Sequence, residues 1–509
     1  MSRKVTDKAV ADRPTRHART IIIGSGFAGL GLAIRLAQQG RNDFLVLERG
    51  SDVGGTWRDN TYPGAACDVP SHLYSYSFAL NPDWSRSFSR QGEIQRYIED
   101  VSKRYDVRDK HIFDCDVTSA RWNNETARWD IESTKGRFTA DTVVSAVGAL
   151  CEPALPDIKG INEFEGEIFH SARWNHDADL TGKRVAIIGT GASAIQIVPA
   201  IAPKVGHLDV YQRTAPWLLP RLDRPYTKAE RLAFKHVPGL QRLSRAAIYA
   251  ARETQVVGLA KVPALMQVFE AIAKAKLRYE IRDPQLRAKV TPNFRIGCKR
   301  MLISNDYYPA LSRPNVDVVT DGIAEVRANS IVTEDGTERE IDALIVATGF
   351  HVTDSPTYDT ITGRDGRTLS EVFDEIGQQG YKGSSIANFP NMFFLLGPNV
   401  GLGHTSMVYM IESQINYVAD ALATIDRLDL RTVEVRRDVQ DAYNADLQAK
   451  LARSVWLTGG CSSWYLDKHG NNTTLWPDFT FEFRRLTRTF DVSAYDISIS
   501  RADLKAVAQ

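Results

Sequence analysis

"ARTIIIGSGFAGLGLAIRLAQQGRNDFLVLERG", Ala18 to Gly50, reads as a short apolar strand, a glycine turn, a helix with an apolar stripe and a second strand ending at Glu48. Gly24, Gly26 and Gly29 form GxGxxG. In that spacing the first glycine permits a tight turn, the second lets backbone N–H groups approach a pyrophosphate, and the third allows close helix–strand packing. The triplet alone is weak, but the flanking strand, the helix and the terminal acid together specify a dinucleotide site.

The same pattern returns at "KRVAIIGTGASAIQIVPAIAPKVGHLDVYQRT", residues 183–214, with Gly189, Gly191 and Ala194 as GxGxxA. Glu48 follows Gly24 at the interval at which Arg213 follows Gly189, so the two units are in register. A carboxylate accepts ribose hydroxyls and repels a 2′-phosphate, whereas a guanidinium followed by Thr214 suits one. Glu48 therefore predicts FAD or NAD at the first site, and Arg213 with Thr214 predicts NADPH at the second. Arg213 as a plain surface residue is the competing reading.

Two apolar segments, "DTVVSAVGAL" (141–150) and "IDALIVATGF" (341–350), each read as a strand closing one sheet beside a glycine. "NMFFLLGPNVGLGHTSMV" (391–408) adds a buried strand before a helical stretch that returns the chain to the first domain. Residues 222–298 are helix-periodic and rich in Lys and Arg, more in keeping with a solvated face than with a membrane surface. The expected fold is α/β, with two Rossmann-like dinucleotide-binding domains and a helical insert. The boundaries read from the sequence are a flexible arm at 1–20, an FAD-binding domain at 21–150 and 385–509, an NADPH-binding domain at 151–221 and 299–384, and the insert at 222–298.

Composition restricts the partners. Over 509 residues, 63 Lys and Arg balance 62 Asp and Glu, so no global field favours nucleic acid or an anionic membrane. No apolar run reaches the length of a membrane span. Cys67, Cys115, Cys151, Cys298 and Cys461 are scattered without a CxxC pair, which points to a reducing cytoplasm, no metal site, and no dithiol of the disulfide-reductase kind. A flavin reduced by NADPH without such a dithiol passes its electrons elsewhere, and dioxygen is the obvious acceptor.

One segment fits neither period. In "FEGEIFHSARWN" (164–175), Phe164, Gly166, His170 and Trp174 recur at fixed intervals. This resembles the fingerprint of the type I Baeyer–Villiger monooxygenases, F-x-G-x-x-x-H-x-x-x-W followed by Pro or Asp. Asn175 departs at the last position. Further motifs agree in order: "GGTW" (54–57), "YPGAACD" (62–68), "GCKR" (297–300), "DALIVATGF" (342–350), "LLGPN" (395–399) and "SSWY" (462–465).

The resemblance implies a fingerprint that serves as a linker between the FAD and NADPH domains, with His170 at its centre. It also implies an enzyme that uses FAD, bound non-covalently, and NADPH to activate O2 as a flavin C4a-peroxide and insert one oxygen beside a ketone carbonyl, giving an ester or lactone. Arg300 matches the family's active-site arginine, with Asp68 orienting it; Lys299 is the alternative cation. Gly55, Thr56, Trp57, Tyr74, Val117 and Met407 match FAD contacts. Thr190, Gly191, Ser193, Ala194 and Gln196 match the NADPH turn, and Trp464 matches a tryptophan on a lid loop. The nearest rival is an N- or S-oxygenating flavin monooxygenase; a redox-responsive binding module is a further one. A monomer or a homodimer fits the sequence equally.

Overall fold

The computed structural model describes residues 15–499. Strand Arg16–Ile23 lies at the middle of the first sheet, parallel to Phe44–Leu47 on one side and Gly136–Ser145 on the other. Ile21 and Ile22 point to opposite faces and both are fully buried, as expected of a parallel strand covered on both sides. The long strand Gly136–Ser145 divides its other edge. Its first half pairs antiparallel with Arg128–Ser133, and Val143 to Ser145 pair in parallel with Met392–Phe394. The sheet is completed by His111–Ile112 at one edge and by Val117–Asn123 and Ile361–Thr362 at the other.

The second sheet has five strands, all parallel, in the order Val316–Val319, His207–Tyr211, Arg184–Ile188, Ala343–Val346, Glu167–His170. Its centre, Arg184–Ile188, is the strand that feeds the second glycine turn, so both nucleotide motifs emerge from the middle of a sheet at the carboxyl ends of its strands. That is where open α/β sheets bind ligands.

Two boundaries differ from the sequence reading. The first strand begins at Arg16, since Arg16 to Ala18 find partners on the unusually long Gly136–Ser145; residues 1–14 of the expected arm lie outside the described residues. The chain also re-enters the first domain well before 385. Ile361–Thr362 pairs with Ala120 and Arg121, and Leu369, Val372 and Phe373 of helix Leu369–Ile376 join the core around Trp129 and Ile131. The cause is a return crossover that runs beside the outgoing one: Ala154 donates to the Gly349 carbonyl and His351 to that of Glu152, each at 2.9 Å. No local periodicity records that pairing.

The insert forms helices Lys228–His236, Leu240–Glu253, Met266–Glu280 and Pro284–Lys289. The first starts with a reciprocal cap between Thr227 and Glu230, and Asp283 caps the last. Among the described residues no single helix is long and apolar enough to cross a membrane.

Candidate active site

Gly24 has φ +99°, and a methyl added there would stand 2.8 Å from the Ala146 carbonyl oxygen. Gly26 is the N-cap of helix Phe27–Gln38; no side chain caps that helix and no acid occupies its first turn. A methyl on Gly26 would meet only Gly55 Cα, at 3.8 Å. Gly54 and Gly55 form a second positive-φ turn facing the first, tied to it by Gly54 N–H to the Ser25 carbonyl at 2.9 Å. Open N–H groups between two glycine turns at a helix N-terminus suit a pyrophosphate. Glu48 is buried, taking Ser25 N–H at 2.7 Å, Gly50 N–H at 2.7 Å and Arg58 Nη1 at 2.7 Å. Arg58 is a neighbour that the motif does not reveal.

Of the other residues matched to FAD, Trp57 and Tyr74 adjoin this turn, Trp57 N–H bonding to the Gly54 carbonyl at 3.2 Å and the Tyr74 ring packing on Phe27. Trp57 Nε1 donates to the Tyr74 hydroxyl at 3.0 Å, just past Gly55 and Thr56. Val117 is half-buried two residues after Cys115, whose N–H binds the Glu48 carbonyl at 2.9 Å. Met407 opens helix Met407–Arg427, which Ser406 caps through Val408 N–H at 3.2 Å.

In the second unit Gly189 has φ +118°, and Gly191 has nothing within 4 Å of an added methyl, leaving room for a ligand. Ala194 is fully buried in the turn-to-helix packing. The Thr190 hydroxyl donates to the Thr214 carbonyl at 2.9 Å, fixing the turn to the strand end. Arg213 is exposed, and among the described residues neither it nor Lys299 has a carboxylate within ion-pair distance. Burial, and then Arg213 itself, lowers the basicity of Lys299. Two adjacent cations without an acid are suited to a phosphate monoester. Lys299 thus faces Arg213 and the Phe294 ring, leaving Arg300 as the cation on the Asp68 side.

Gln196 departs from its expected place. Its amide is spent on the first domain, taking Tyr62 Oη–H and Ala66 N–H at 3.2 Å and donating to the Ala66 carbonyl at 3.0 Å. It bolts "YPGAACD" onto helix Ala194–Ile201, and Ser193 also bonds to Tyr62.

That bolt presents Asp68 to Arg300. Arg300 Nε and Nη2 both reach Asp68 Oδ2 at 2.7 Å, and Nη1 donates to the Leu402 carbonyl at 3.3 Å. About a third of each side chain is open to solvent (32% and 27%), so the pair is half-buried and accessible from one side. Burial works to raise the Asp68 carboxyl, but Arg300, and then Arg252 of the insert, hold it below its ordinary value. Asp68 in turn pushes Arg300 further up against the effect of burial. A depressed acid contributes stability that is complete above the ordinary carboxylate range and fades only as pH falls through the lowered value. Tyr465 is buried near both, its hydroxyl raised to about 12 by burial.

The fingerprint residues 164–175 are partly regular, contrary to the sequence reading: Glu167–His170 is an edge strand beside Ala343–Val346. Gly166 stands just before it, where a methyl would strike the Phe164 ring and the Asp342 carbonyl oxygen, both at 2.6 Å. His170 Nδ1 accepts Ala172 N–H at 3.1 Å, and burial lowers the ring to about 4, so it is neutral near pH 7. Its ring lies 5.8 Å from that of Phe350 on the return crossover. Trp174 packs edge-on to Phe169 at 4.9 Å. Asn175 takes Asp177 N–H at 3.0 Å and donates to Glu167 at 3.1 Å, which closes the turn after Trp174. Trp464 is 48% exposed, in the irregular stretch between Cys461 and Tyr465.

The cysteine reading needs correction. Cys298 and Cys461, 163 residues apart in sequence, form a disulfide within an apolar cluster containing Trp217, Val256 and Trp456. The bond ties the segment before Arg300 to the loop before Trp464, sealed by packing rather than exposed as an exchanging dithiol. Only the fold brings them together, so spacing gave no sign. Alkylation in denaturant is expected to label three cysteines, Cys67, Cys115 and Cys151, and all five after reduction; five without reduction would remove the bridge.

Sequence reasoning also missed Arg252, Tyr465 and the polar face of helix Leu240–Glu253. The signal was present: Gln241, Arg245, Tyr249 and Arg252 fall on one helical face. Gln241 bonds to the Asn81 carbonyl at 2.5 Å, Arg245 to the carbonyls of His72 (2.8 Å) and Leu73 (3.0 Å), and Tyr249 to Thr480 at 3.0 Å.

Residues 21–257 match the family model described as pyridine nucleotide-disulphide oxidoreductase. The chain is 52% identical to a Baeyer-Villiger monooxygenase of Streptomyces coelicolor, over 94% of this chain and 93% of the relative. It is 50% identical to one of Pseudomonas aeruginosa, over 96% and 94%. Among solved structures it resembles cyclohexanone monooxygenase from Rhodococcus sp. Phi1 bound to NADP+, with a TM-score of 0.85, 28% identity and coverage of 96% and 100%.

Proposed function

The chain belongs to the Baeyer–Villiger monooxygenases, and on that premise we propose how its own residues insert one oxygen atom of O2 beside a ketone carbonyl, with FAD as cofactor and NADPH as reductant. The observation that carries the reading is a guanidinium at Arg300, fixed by Asp68, where the FAD turn, the NADPH turn and the insert converge. The facing glycine turns and Glu48 would hold FAD; Gly191, Arg213 and Lys299 would hold NADPH. When bound, FAD takes reducing equivalents from NADPH and delivers oxygen from O2 to the substrate.

Negative charge builds on oxygen during such a transfer, and a donor already in place stabilises it without reorganisation. Arg300 suits this task because it stays charged at any working pH. Asp68 fixes the fork by taking Nε and Nη2 on one oxygen, which leaves Nη1, bonded only to the Leu402 carbonyl, as the donor with spare capacity. Tyr465, buried beside the pair, adds a wall that would limit water around the reacting oxygen. His170, neutral and buried against the return crossover, holds the two domain linkers in register and moves no proton.

The FAD-loaded protein supplied with NADPH, O2 and a ketone panel is expected to yield esters or lactones, identified by mass spectrometry. N-oxides or sulfoxides instead, from amine and sulfide controls, would replace this reading by the neighbouring oxygenase chemistry; hydrogen peroxide alone with every ketone would leave an NADPH oxidase.

A further inference from the structure

Arg252, in the last turn of helix Leu240–Glu253, reaches from the insert to Asp68, where Nη2 donates to the main-chain carbonyl at 3.3 Å. Among the described residues its side chain makes no other hydrogen bond and no ion pair. Its neighbour Glu253 does not compensate it, because that carboxylate turns to Thr480 and takes its backbone N–H and, at 2.9 Å, its hydroxyl. Burial lowers the basicity of Arg252, which shows that the site exacts a penalty for the charge. Partial burial of a charge that no carboxylate pairs is a cost that a use for the charge would offset.

The charge balance of the site shows what the use is. Asp68 and Arg300 are joined through a single carboxylate oxygen, so together they carry no net charge and form a dipole. The helix does not need Arg252 for docking, since Gln241, Arg245 and Tyr249 already fasten the same face. We propose that Arg252 is the second cation of the reaction site, supplying the net positive charge that the Arg300–Asp68 pair lacks. The proposal rests on the oxygen-transfer reading for its purpose but not for its test.

Two variants separate charge from shape. Arg252→Gln keeps a donor for the Asp68 carbonyl and loses the charge; Arg252→Lys keeps the charge and loses the planar fork. In the FAD-loaded protein two quantities are read: the midpoint potential of bound FAD by anaerobic dye equilibration, and ester formed per NADPH consumed. Removing a nearby cation disfavours the anionic reduced flavin, so the glutamine variant is expected to have a more negative potential and a roughly tenfold lower ester yield per NADPH, the balance appearing as hydrogen peroxide. The lysine variant is expected to remain near the unmodified protein on both. A glutamine variant with unchanged potential and yield overturns the proposal. So does a lysine variant as impaired as glutamine, which would make the fork geometry decisive, and so does loss of FAD from both, which would make Arg252 a fastener of domains. If the unmodified protein forms no ester, the potentials still report the charge, so the two readings fail separately.

Discussion

Arg300→Ala is expected to lower ester formation by about a hundred- to a thousandfold, the loss typical of removing one preorganised donor to a developing oxyanion. The variant should still retain FAD, because none of the residues around the two glycine turns uses Arg300: Glu48 is held by Ser25, Gly50 and Arg58, and Trp57 by Tyr74. NADPH oxidation should continue with hydrogen peroxide as its product. The substitution leaves Asp68 facing Arg252 alone, so its carboxyl should move back toward the ordinary range, and the protein should lose stability at a higher pH on acidification than the parent. Product analysis with peroxide quantification checks the first effect, and an acid-unfolding titration the second. Normal ester yield would remove Arg300 from the chemistry.

Gly29→Ala is expected to abolish FAD retention and to cost about 4 kcal/mol or more in stability. A methyl at Gly29 overlaps the carbonyl oxygen of Gly24 and stands 3.3 Å from the Ala146 side chain. The obstacle is backbone, which cannot rotate away, so helix Phe27–Gln38 must shift off the sheet and carry its N-terminal N–H groups with it. The second unit shows that the constraint comes from local geometry: Ala194 occupies the matching position and is buried without difficulty. Gly191→Ala makes the control, since a methyl there meets no protein atom, and it should fold normally while weakening NADPH binding. Flavin absorbance per protein after gel filtration and thermal unfolding measure the contrast. A Gly29→Ala protein with full flavin and parental stability would show that the turn can relax.

How much of this was legible in the sequence depends on the range of the interaction. Glycine turns, the strands feeding them and the residue closing each second strand lie within about thirty residues, and such units carry their own geometry. The fingerprint was legible as a pattern, but half of it is an edge strand, because Glu167–His170 takes its hydrogen bonds from Ala343–Val346 far along the chain. Gln196 was misplaced for the same reason: its position in the helix suggests a phosphate, and its partners at 62–66 belong to the other domain.

Residue type and short spacing alone gave two dinucleotide units in register, with Glu48 and Arg213 at matching strand ends, whereas the pairing of Arg300 with Asp68, far apart in the chain, was implied by the family resemblance and not by any spacing. Only the tertiary structure decided that Lys299 turns to Arg213 while Arg300 turns to Asp68, that Cys298 meets Cys461, and that Arg252 stands uncompensated beside the pair. Those outcomes depend on which side chains from distant segments share one volume and on whether opposite charges there cancel. Both are properties of the packed chain, invisible to any window along it.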